Sequence, residues 1–214
     1  MQKSKSKHKI YVHKTYIVSN TNEERPPTQY IKEWTIILDI KNGFTKSSGF
    51  RWVRWIHRDS NGEHCQPCLM LNNCWFIKEK SPQCPHHLYC HCKLSKLSYN
   101  EVVEKANSNS DYSKFDPYLF NTNGKYSHNK EILFNEWGYS ISDAKWLQAE
   151  IEKQGLEKYI FGDYELGVLN DFGQRINIRI EIPHKYKNEI VSFISGWMVL
   201  PNGEIKLNTP YGGK

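Results

Sequence analysis

The feature that most constrains this chain is a cysteine-rich run between Glu63 and Lys93. The run contains all six cysteines of the chain, with four histidines among them. A Cys65-x-x-Cys68 pair is followed about twenty residues later by His87-x-x-Cys90-x-Cys92. Two close groups of thiol and imidazole ligands that face each other across a loop suit tetrahedral zinc. The run therefore predicts a zinc site.

The spacing favours four residues as ligands, because together they close two chelate turns: Cys65, Cys68, His87 and Cys90. Cys92 or His91 is an alternative for one of them. Cys74, beside Trp75, is typical of a buried small hydrophobic residue. A site with four protein ligands is closed, so the predicted zinc is structural and stabilises a segment that has few apolar residues of its own.

Three disulfides are the alternative to metal. They require an oxidising compartment, and the N-terminal residues MQKSKSKHKI show no apolar signal-peptide core. We therefore expect reduced thiols, no signal peptide, and a cytoplasmic or virion-associated protein. No apolar run reaches membrane-spanning length, so we expect no membrane association.

The cysteine-rich run resembles the end of phage head-morphogenesis proteins of the Mu minor-head type. In that family an aromatic-rich strand precedes a Cys-x-x-Cys pair, and a turn follows that ends in His-Pro-Asn-Cys-Arg-Cys. Here the corresponding segments are RWVRWIHRDSNGEHCQPC and His87-Leu88-Tyr89-Cys90-His91-Cys92. The resemblance covers about fifty residues and implies a zinc-binding module with phage structural proteins as partners.

Charge and composition divide the chain. Residues 1–110 hold 17 Lys and Arg against 9 Asp and Glu, whereas residues 111–214 hold 12 against 14. A polar stretch near residue 110 has no apolar period and predicts a boundary. We interpret residues 1–45 as a basic segment with short strands, 46–110 as the zinc module and 111–214 as a second domain.

The second domain has a clearer pattern. Residues 128–137 and a segment from Ser140 or Ser142 to about Leu156 have helical spacing. Four strands are then predicted, at residues 164–170, 175–182, 189–199 and 205–208. The expected fold class is α+β: a small zinc-stapled N-terminal module, then a domain of two helices and a four-stranded antiparallel sheet.

Residues 50–56 alternate aromatic and basic side chains, FRWVRWI, and predict a strand leading into the zinc loop. Two interpretations are open for this strand. The tryptophans Trp52 and Trp55 could stack on nucleobases, with Arg51 and Arg54 binding phosphates. Alternatively the strand buries one face and exposes the other.

Seven polar or basic residues of the second domain could act on a phosphodiester: Lys125, His128, Lys130, Arg175, Arg179, Asn208 and Thr209. RNA supplies its own nucleophile, the 2′-hydroxyl, so cleavage needs a base, an acid and cations near the phosphate. His128 is the candidate acid or base, and Lys125 and Lys130 flank it. The other histidine of this domain, His184, lies in a predicted loop and is expected to be solvated.

This half also resembles small toxin-type ribonucleases of the barnase–EndoU–colicin–RelE-like group. The matching motifs are Asn-x-x-Gly-Lys-x-x-His-x-Lys at residues 121–130, Ser-Gly-Trp-Met at 195–198, and Lys-Leu-Asn-Thr-Pro-Tyr at 206–211. In that group a helix supplies His or Lys, and the sheet supplies Arg and a late Ser or Thr. The resemblance implies His128, Lys130, Arg175 and Thr209 as catalytic residues, with Arg179 an alternative to Arg175.

The predicted function is a metal-independent endoribonuclease of toxin type that cleaves RNA, with tRNA as one candidate, behind a phage-derived zinc module. Lys125, Arg179 and Asn208 are the predicted RNA-binding residues. An acidic immunity protein is the partner expected for such a basic site. The alternatives are a non-enzymatic phage structural protein and a zinc-dependent nucleic-acid-binding protein.

Overall fold

A computed structural model of the chain describes residues 52–58 and 65–212. The predicted basic segment at residues 1–45 lies outside the described residues. The first elements are β1 (Trp52–Ile56), the short helix α1 (Gln66–Met70), β2 (Trp75–Ile77) and β3 (Lys93–Lys96). The three strands form an antiparallel sheet with the order β2-β1-β3.

Helix α2 (Tyr99–Lys105) begins where the sequence predicts a cap, because the Ser98 hydroxyl accepts a hydrogen bond of 3.1 Å from the Glu101 amide. A short strand, β4 (Asn107–Asn109), follows it. The two helices predicted for the second half are present as α3 (Lys130–Glu136) and α4 (Ala144–Ile160).

Four further strands form the predicted antiparallel meander: β5 (Glu165–Asn170), β6 (Gly173–Pro183), β7 (Ile190–Val199) and β8 (Glu204–Thr209). Together with β4 they make a second sheet of five strands, in the order β4-β8-β7-β6-β5. The α+β class is therefore confirmed, but the four-strand count is wrong. The additional strand, β4, is parallel to β8, and its polar sequence Asn-Ser-Asn carries no alternation that could reveal it.

The main core lies between the second sheet and α4. The predicted alternation along β6 is confirmed, because its isoleucines are all fully buried: Ile176, Ile178, Ile180 and Ile182. Helix α4 approaches the sheet closely at Gly155, where an added Cβ would lie 2.5 Å from Cζ2 of Trp197. A glycine here lets the indole ring pack directly against the helix backbone.

We expect Gly155→Ala to destabilise the protein by about 2 kcal/mol, because the methyl group overlaps the Trp197 ring in a closely packed core. The better helix propensity of alanine offsets only part of this. Thermal unfolding should show a midpoint about 5 °C lower. In a Trp197→Phe background the same change should cost less, because the smaller ring leaves room for the methyl group. Equal costs in both backgrounds would contradict this account.

The cysteine-rich segment and the second sheet share a core through two tyrosines. Tyr159 of α4 packs edge-on against Trp52 and donates a hydrogen bond of 2.7 Å to the carbonyl oxygen of Trp75. The Tyr164 hydroxyl accepts a hydrogen bond from the amide of Ile77. Phe50–Lys214 accordingly form one compact unit, and the chain on both sides of residue 110 contributes to the five-stranded sheet.

Among the described residues, none of the helices has the length and apolar character needed to cross a membrane.

Candidate functional site: a cysteine cluster and a lysine–tyrosine–histidine centre

Four cysteines converge at one end of the three-stranded sheet. Cys65 immediately precedes α1 and Cys68 lies within it, where Pro67 occupies the first turn. Cys90 and Cys92 directly precede β3, which pairs with β1. The short helix and the strand start therefore present the two halves of the sequence motif to each other.

The distances in this cluster fit a tetrahedral metal ion. The ligand atoms form two groups of three, and within each group all atoms lie within 4.8 Å of one another. The groups are Cys65, Cys68 and His87, and Cys68, Cys90 and Cys92. The sulfur atoms of Cys68 and Cys90 are 3.8 Å apart. Zinc–sulfur bonds of about 2.3 Å at tetrahedral angles place two sulfurs about 3.8 Å apart. The separation is far longer than a disulfide bond, and all six cysteines are free thiols.

Cys68 belongs to both groups, so it is the centre of the cluster. All four predicted ligands belong to the two groups: Cys65, Cys68 and His87 to the first, and Cys68 and Cys90 to the second. Cys92, which the sequence allowed as a replacement for one of them, joins Cys68 and Cys90. His87 is exposed, and its Nδ1 lies 2.7 Å from the carbonyl oxygen of Leu88, which leaves Nε2 as its ligand atom. The cluster of Cys65, Cys68, Cys90 and Cys92 could hold a metal ion.

The thiols of the cluster differ in acidity. Burial raises the pKa of Cys90, but hydrogen bonds from the backbone of His86 and Cys92 outweigh it, and the pKa is lowered to about 7. Burial raises the pKa of Cys68, and hydrogen bonds with Cys65 and Cys90 raise it further. One thiolate is therefore accessible near neutral pH, and binding of a metal cation would release the remaining protons.

The two other cysteines lie outside both groups. Cys74 is fully buried, donates hydrogen bonds to the carbonyl oxygens of Met70 and Val199, and has a pKa raised to about 12 by burial. This confirms its interpretation as a core residue. Burial also raises the pKa of Cys84, to about 11.

The tryptophans of β1 cannot act as stacking platforms. Trp52 is 1% exposed and Trp55 is fully buried, so neither ring face is open to a nucleobase. The interpretation of β1 as a nucleic-acid-binding strand is wrong in this respect. The alternative of one buried and one exposed face is wrong as well, because Trp52, Val53 and Trp55 are all buried and positions 52 and 55 lie on opposite faces of the strand.

A second constellation surrounds the ammonium group of Lys130, at the start of α3. Its Nζ donates hydrogen bonds to the hydroxyl of Tyr118 at 2.8 Å, to Oγ1 of Thr209 at 3.1 Å and to the carbonyl oxygen of Tyr211 at 2.7 Å. The structure thus brings Lys130 and Thr209 together, as the sequence predicts. All three ammonium protons are directed at protein oxygens.

His128 lies beside this lysine. Its Nδ1 accepts a hydrogen bond of 3.1 Å from the Lys130 amide and is 3.7 Å from a carboxylate oxygen of Glu131. Its ring stacks on Tyr126 and lies edge-on to Tyr118, with a centroid distance of 4.8 Å to Tyr118. Nε2 is buried and, within the described part of the chain, has no hydrogen-bond partner.

The hydrogen bond to Nδ1 is not by itself a mark of function. His184 accepts the equivalent bond from the amide of Tyr186, two residues on. His184 is 6% exposed, so the expectation that it is solvated is wrong. What distinguishes His128 is the pair of tyrosine rings against it and the lysine two residues on.

Tyr118 is the acidic group of this constellation. Burial raises its pKa, but hydrogen bonds with Lys130 and Thr209 and the charges of Lys130 and Lys114 outweigh that effect, so its pKa is lowered. Burial raises the pKa of four other tyrosines: Tyr99, Tyr139, Tyr159 and Tyr164. Lys130 therefore favours the phenolate form of Tyr118.

The structure does not bring Arg175 to this constellation. Arg175 and Arg179 alternate with the buried isoleucines of β6, so both are exposed on the sheet face away from α4. Helix α3 lies on the other face, where Phe134 packs against the buried Phe193. Of the described residues, neither His128 nor Lys130 forms a hydrogen bond or ion pair with these arginines.

The strand register distinguishes the two arginines. Arg179 is opposite Ile194, whose carbonyl oxygen accepts a hydrogen bond from Gly212, next to Tyr211. Arg175 is opposite Met198, and both Met198 and Ile194 lie two residues from Gly196, the partner of Thr209 at the end of β8. The two arginines are therefore equally far in register from Thr209, and only Arg179 is opposite the residue that Gly212 contacts.

The remaining predicted RNA-binding residues lie at the edge of the site. Lys125 is exposed in a loop that Asn121 closes through hydrogen bonds to both backbone groups of Tyr126. Asn208 lies at a register irregularity between β7 and β8, next to Thr209.

Sequence reasoning missed Tyr118, Tyr126 and Glu131 as members of the site. The pairing of His128 with Glu131 could have been predicted, since a carboxylate three residues after a histidine near a helix start can lie beside it. Tyr118 precedes Lys130 by 12 residues, in the short helical segment Phe115–Leu119, and no periodicity indicates that the two meet.

The geometry thus defines an α+β protein with a cysteine cluster able to hold a metal ion and a separate lysine–tyrosine–histidine constellation. Residues 100–214 match the family described as "Domain of unknown function (DUF6883)". The match covers more than half of the chain, so the protein belongs to the DUF6883 family. Comparison with curated proteins gave no match, and comparison with solved structures gave none either.

Proposed function

We propose that this protein is a metal-independent endoribonuclease whose centre is formed by His128, Tyr118, Lys130 and Thr209. The observation that supports it is the contact of one ammonium group with a phenol and a hydroxyl beside an imidazole ring. Two titratable groups of different acidity, held side by side, are what an acid–base reaction requires.

In the proposed reaction the RNA 2′-hydroxyl attacks the adjacent phosphorus, and its proton passes to Nδ1 of His128, which gives up the hydrogen bond from the Lys130 amide and is then paired with Glu131. The new bond joins phosphorus to O2′, and the bond from phosphorus to O5′ breaks. O5′ takes its proton from the Tyr118 hydroxyl, leaving a 2′,3′-cyclic phosphate and a 5′-hydroxyl end. Because Lys130 stabilises the Tyr118 phenolate, it makes Tyr118 a better acid. Thr209 orients the phosphate.

Arg175 keeps the role predicted for it only if RNA extends over the open face of the sheet. Arg179 is the better placed of the two, because its register position leads toward Gly212. RNA that reaches both the helix side and the open face must pass the end of β8. A flexible single strand such as a tRNA loop fits that requirement better than a rigid duplex.

We further propose that the metal is zinc, bound by Cys65, Cys68, Cys90 and Cys92, with a structural role. Soft thiolates and tetrahedral spacing favour zinc over hard cations. Four protein ligands leave no open position for a substrate. Zinc bound there would hold α1 against the start of β3.

The direct test is cleavage of total tRNA by metal-loaded protein without added divalent cations. We expect wild-type protein to release discrete fragments, and His128→Ala to cleave about a hundredfold or more slowly, since a general base contributes that much or more. His86→Ala, which changes an exposed histidine remote from α3, should cleave like wild type. Equal cleavage by His128→Ala and wild type would contradict the assignment of His128. Intact tRNA in every lane would contradict the proposed activity.

A further inference from the structure

The turn at the tip of the cysteine cluster exposes two consecutive apolar side chains. Tyr89 is 83% exposed, the highest value among the large hydrophobic residues of the described chain, and Leu88 is 78% exposed. Both lie between His87 and Cys90, where the Cys90 amide donates a hydrogen bond to the His87 carbonyl oxygen. The side chains are therefore presented outward by a turn that the cluster fixes.

Tyr89 also has an unusual backbone conformation. Its φ angle is +67°, in the left-handed region that bulky residues rarely adopt. The other non-glycine residues of the described chain with positive φ are all asparagine, the residue that best tolerates this region: Asn73, Asn121, Asn129 and Asn202. A tyrosine here is unfavourable for folding on two counts, its backbone and its exposed ring. Both point to a role outside the fold.

The surroundings of Tyr89 are basic. Arg58 and Tyr89 line the same cleft beside the cysteines, and the described residues around that cleft include no acidic side chain. Lys93 and Lys96 of β3 are exposed on the adjoining strand, and residues 81–100 contain no Asp or Glu. A divalent ion held by four thiolates keeps a net negative charge, and these three cations offset it.

We infer that Tyr89, Leu88 and Arg58 form a binding surface for single-stranded RNA, distinct from the constellation around Lys130. A nucleobase would stack on the Tyr89 ring and contact Leu88, while Arg58 and Lys93 bind the neighbouring phosphates. An exposed aromatic ring beside cations is the arrangement that binds single strands without sequence preference.

The test is fluorescence anisotropy with a labelled 12-nucleotide 2′-O-methyl RNA and the full, zinc-loaded chain. This RNA cannot be cleaved through its 2′ position, so the measurement does not depend on the proposed ribonuclease activity. We expect Tyr89→Ala to weaken binding about tenfold, Tyr89→Trp to retain it, and wild-type affinity to fall with salt. Tyr186→Ala, which removes another highly exposed tyrosine, should bind like wild type.

Tyr89→Asn separates a binding role from a structural one. Asparagine relieves the left-handed backbone, so this variant should have a higher melting temperature than wild type and the same zinc content, yet bind the RNA about tenfold more weakly. Unchanged RNA affinity in Tyr89→Ala, or an equal loss in Tyr186→Ala, would overturn the inference. If the turn instead binds a second copy of the chain, RNA affinity will be unchanged and the sedimentation coefficient will fall in Tyr89→Ala. That result would also overturn it.

Discussion

Cys68→Ser is expected to lose the bound metal and most of the stability of the fold. Cys68 is the only cysteine shared by both ligand groups of the described cluster, and it is 1% exposed. A serine hydroxyl is a poor ligand for zinc and would leave a buried polar group in its place. Because metal-binding free energy is also folding free energy, we expect a loss of more than about 4 kcal/mol.

The measurements are the zinc content of purified protein and its thermal unfolding. Wild type should hold about one zinc ion, and Cys68→Ser almost none, with a melting temperature more than about 10 °C lower. Cys84→Ser is the matched control, because Cys84 lies in the same segment but outside both ligand groups. It should keep its zinc. Full zinc content in Cys68→Ser would exclude the cysteine cluster as the metal site.

Tyr118→Phe is expected to slow RNA cleavage about a hundredfold and to change its pH dependence. A general acid works only while protonated, so wild-type activity should fall as the pH rises through the pKa of Tyr118. That pKa is lowered, so the fall should be centred below about pH 10, the ordinary value of tyrosine. The residual activity of Tyr118→Phe should lack this alkaline fall.

Two variants make the assignment specific. Lys130→Met removes the cation that stabilises the phenolate, so the alkaline fall should move to higher pH as the rate drops. Tyr126→Phe removes a neighbouring hydroxyl that has no lysine partner in the described structure, and should change the rate less than threefold. Initial rates with an enzyme-free blank at each pH remove alkaline RNA hydrolysis from the comparison. An unchanged alkaline fall in Tyr118→Phe would assign it to another group.

Much of the fold follows from local sequence patterns. The isoleucines of β6 alternate with polar residues and are buried as expected, and Ser98 caps α2 through Glu101. These signals lie within one element, where spacing alone determines which side chains share a face. Strand β4 could not be predicted this way, because Asn107–Asn109 has no apolar face and its pairing depends on a strand that lies far along the chain.

In the candidate sites too, contacts within a short motif could be predicted and contacts between distant segments could not. The cysteine cluster could be predicted because its ligands lie in two short motifs, although spacing alone left open whether Cys92 or His91 replaces one of the four favoured ligands. His128 and Lys130 are two residues apart in sequence and are in contact in the fold. The contact between Lys130 and Tyr118, the exposure of Tyr89 and the separation of Arg175 from α3 all depend on packing between distant segments.

The parallel pairing of β4 with β8 has a consequence for the order of events during synthesis. The side chains of Asn109 and Glu204, 95 residues apart, are joined by a hydrogen bond of 2.7 Å. The Cys74 sulfur bonds across a still longer separation to the carbonyl oxygen of Val199. On the ribosome, β4 and the base of the cysteine segment must therefore wait for the last strands to emerge. Until then β4 has no strand to pair with, so the five-stranded sheet is completed only when β8 is released.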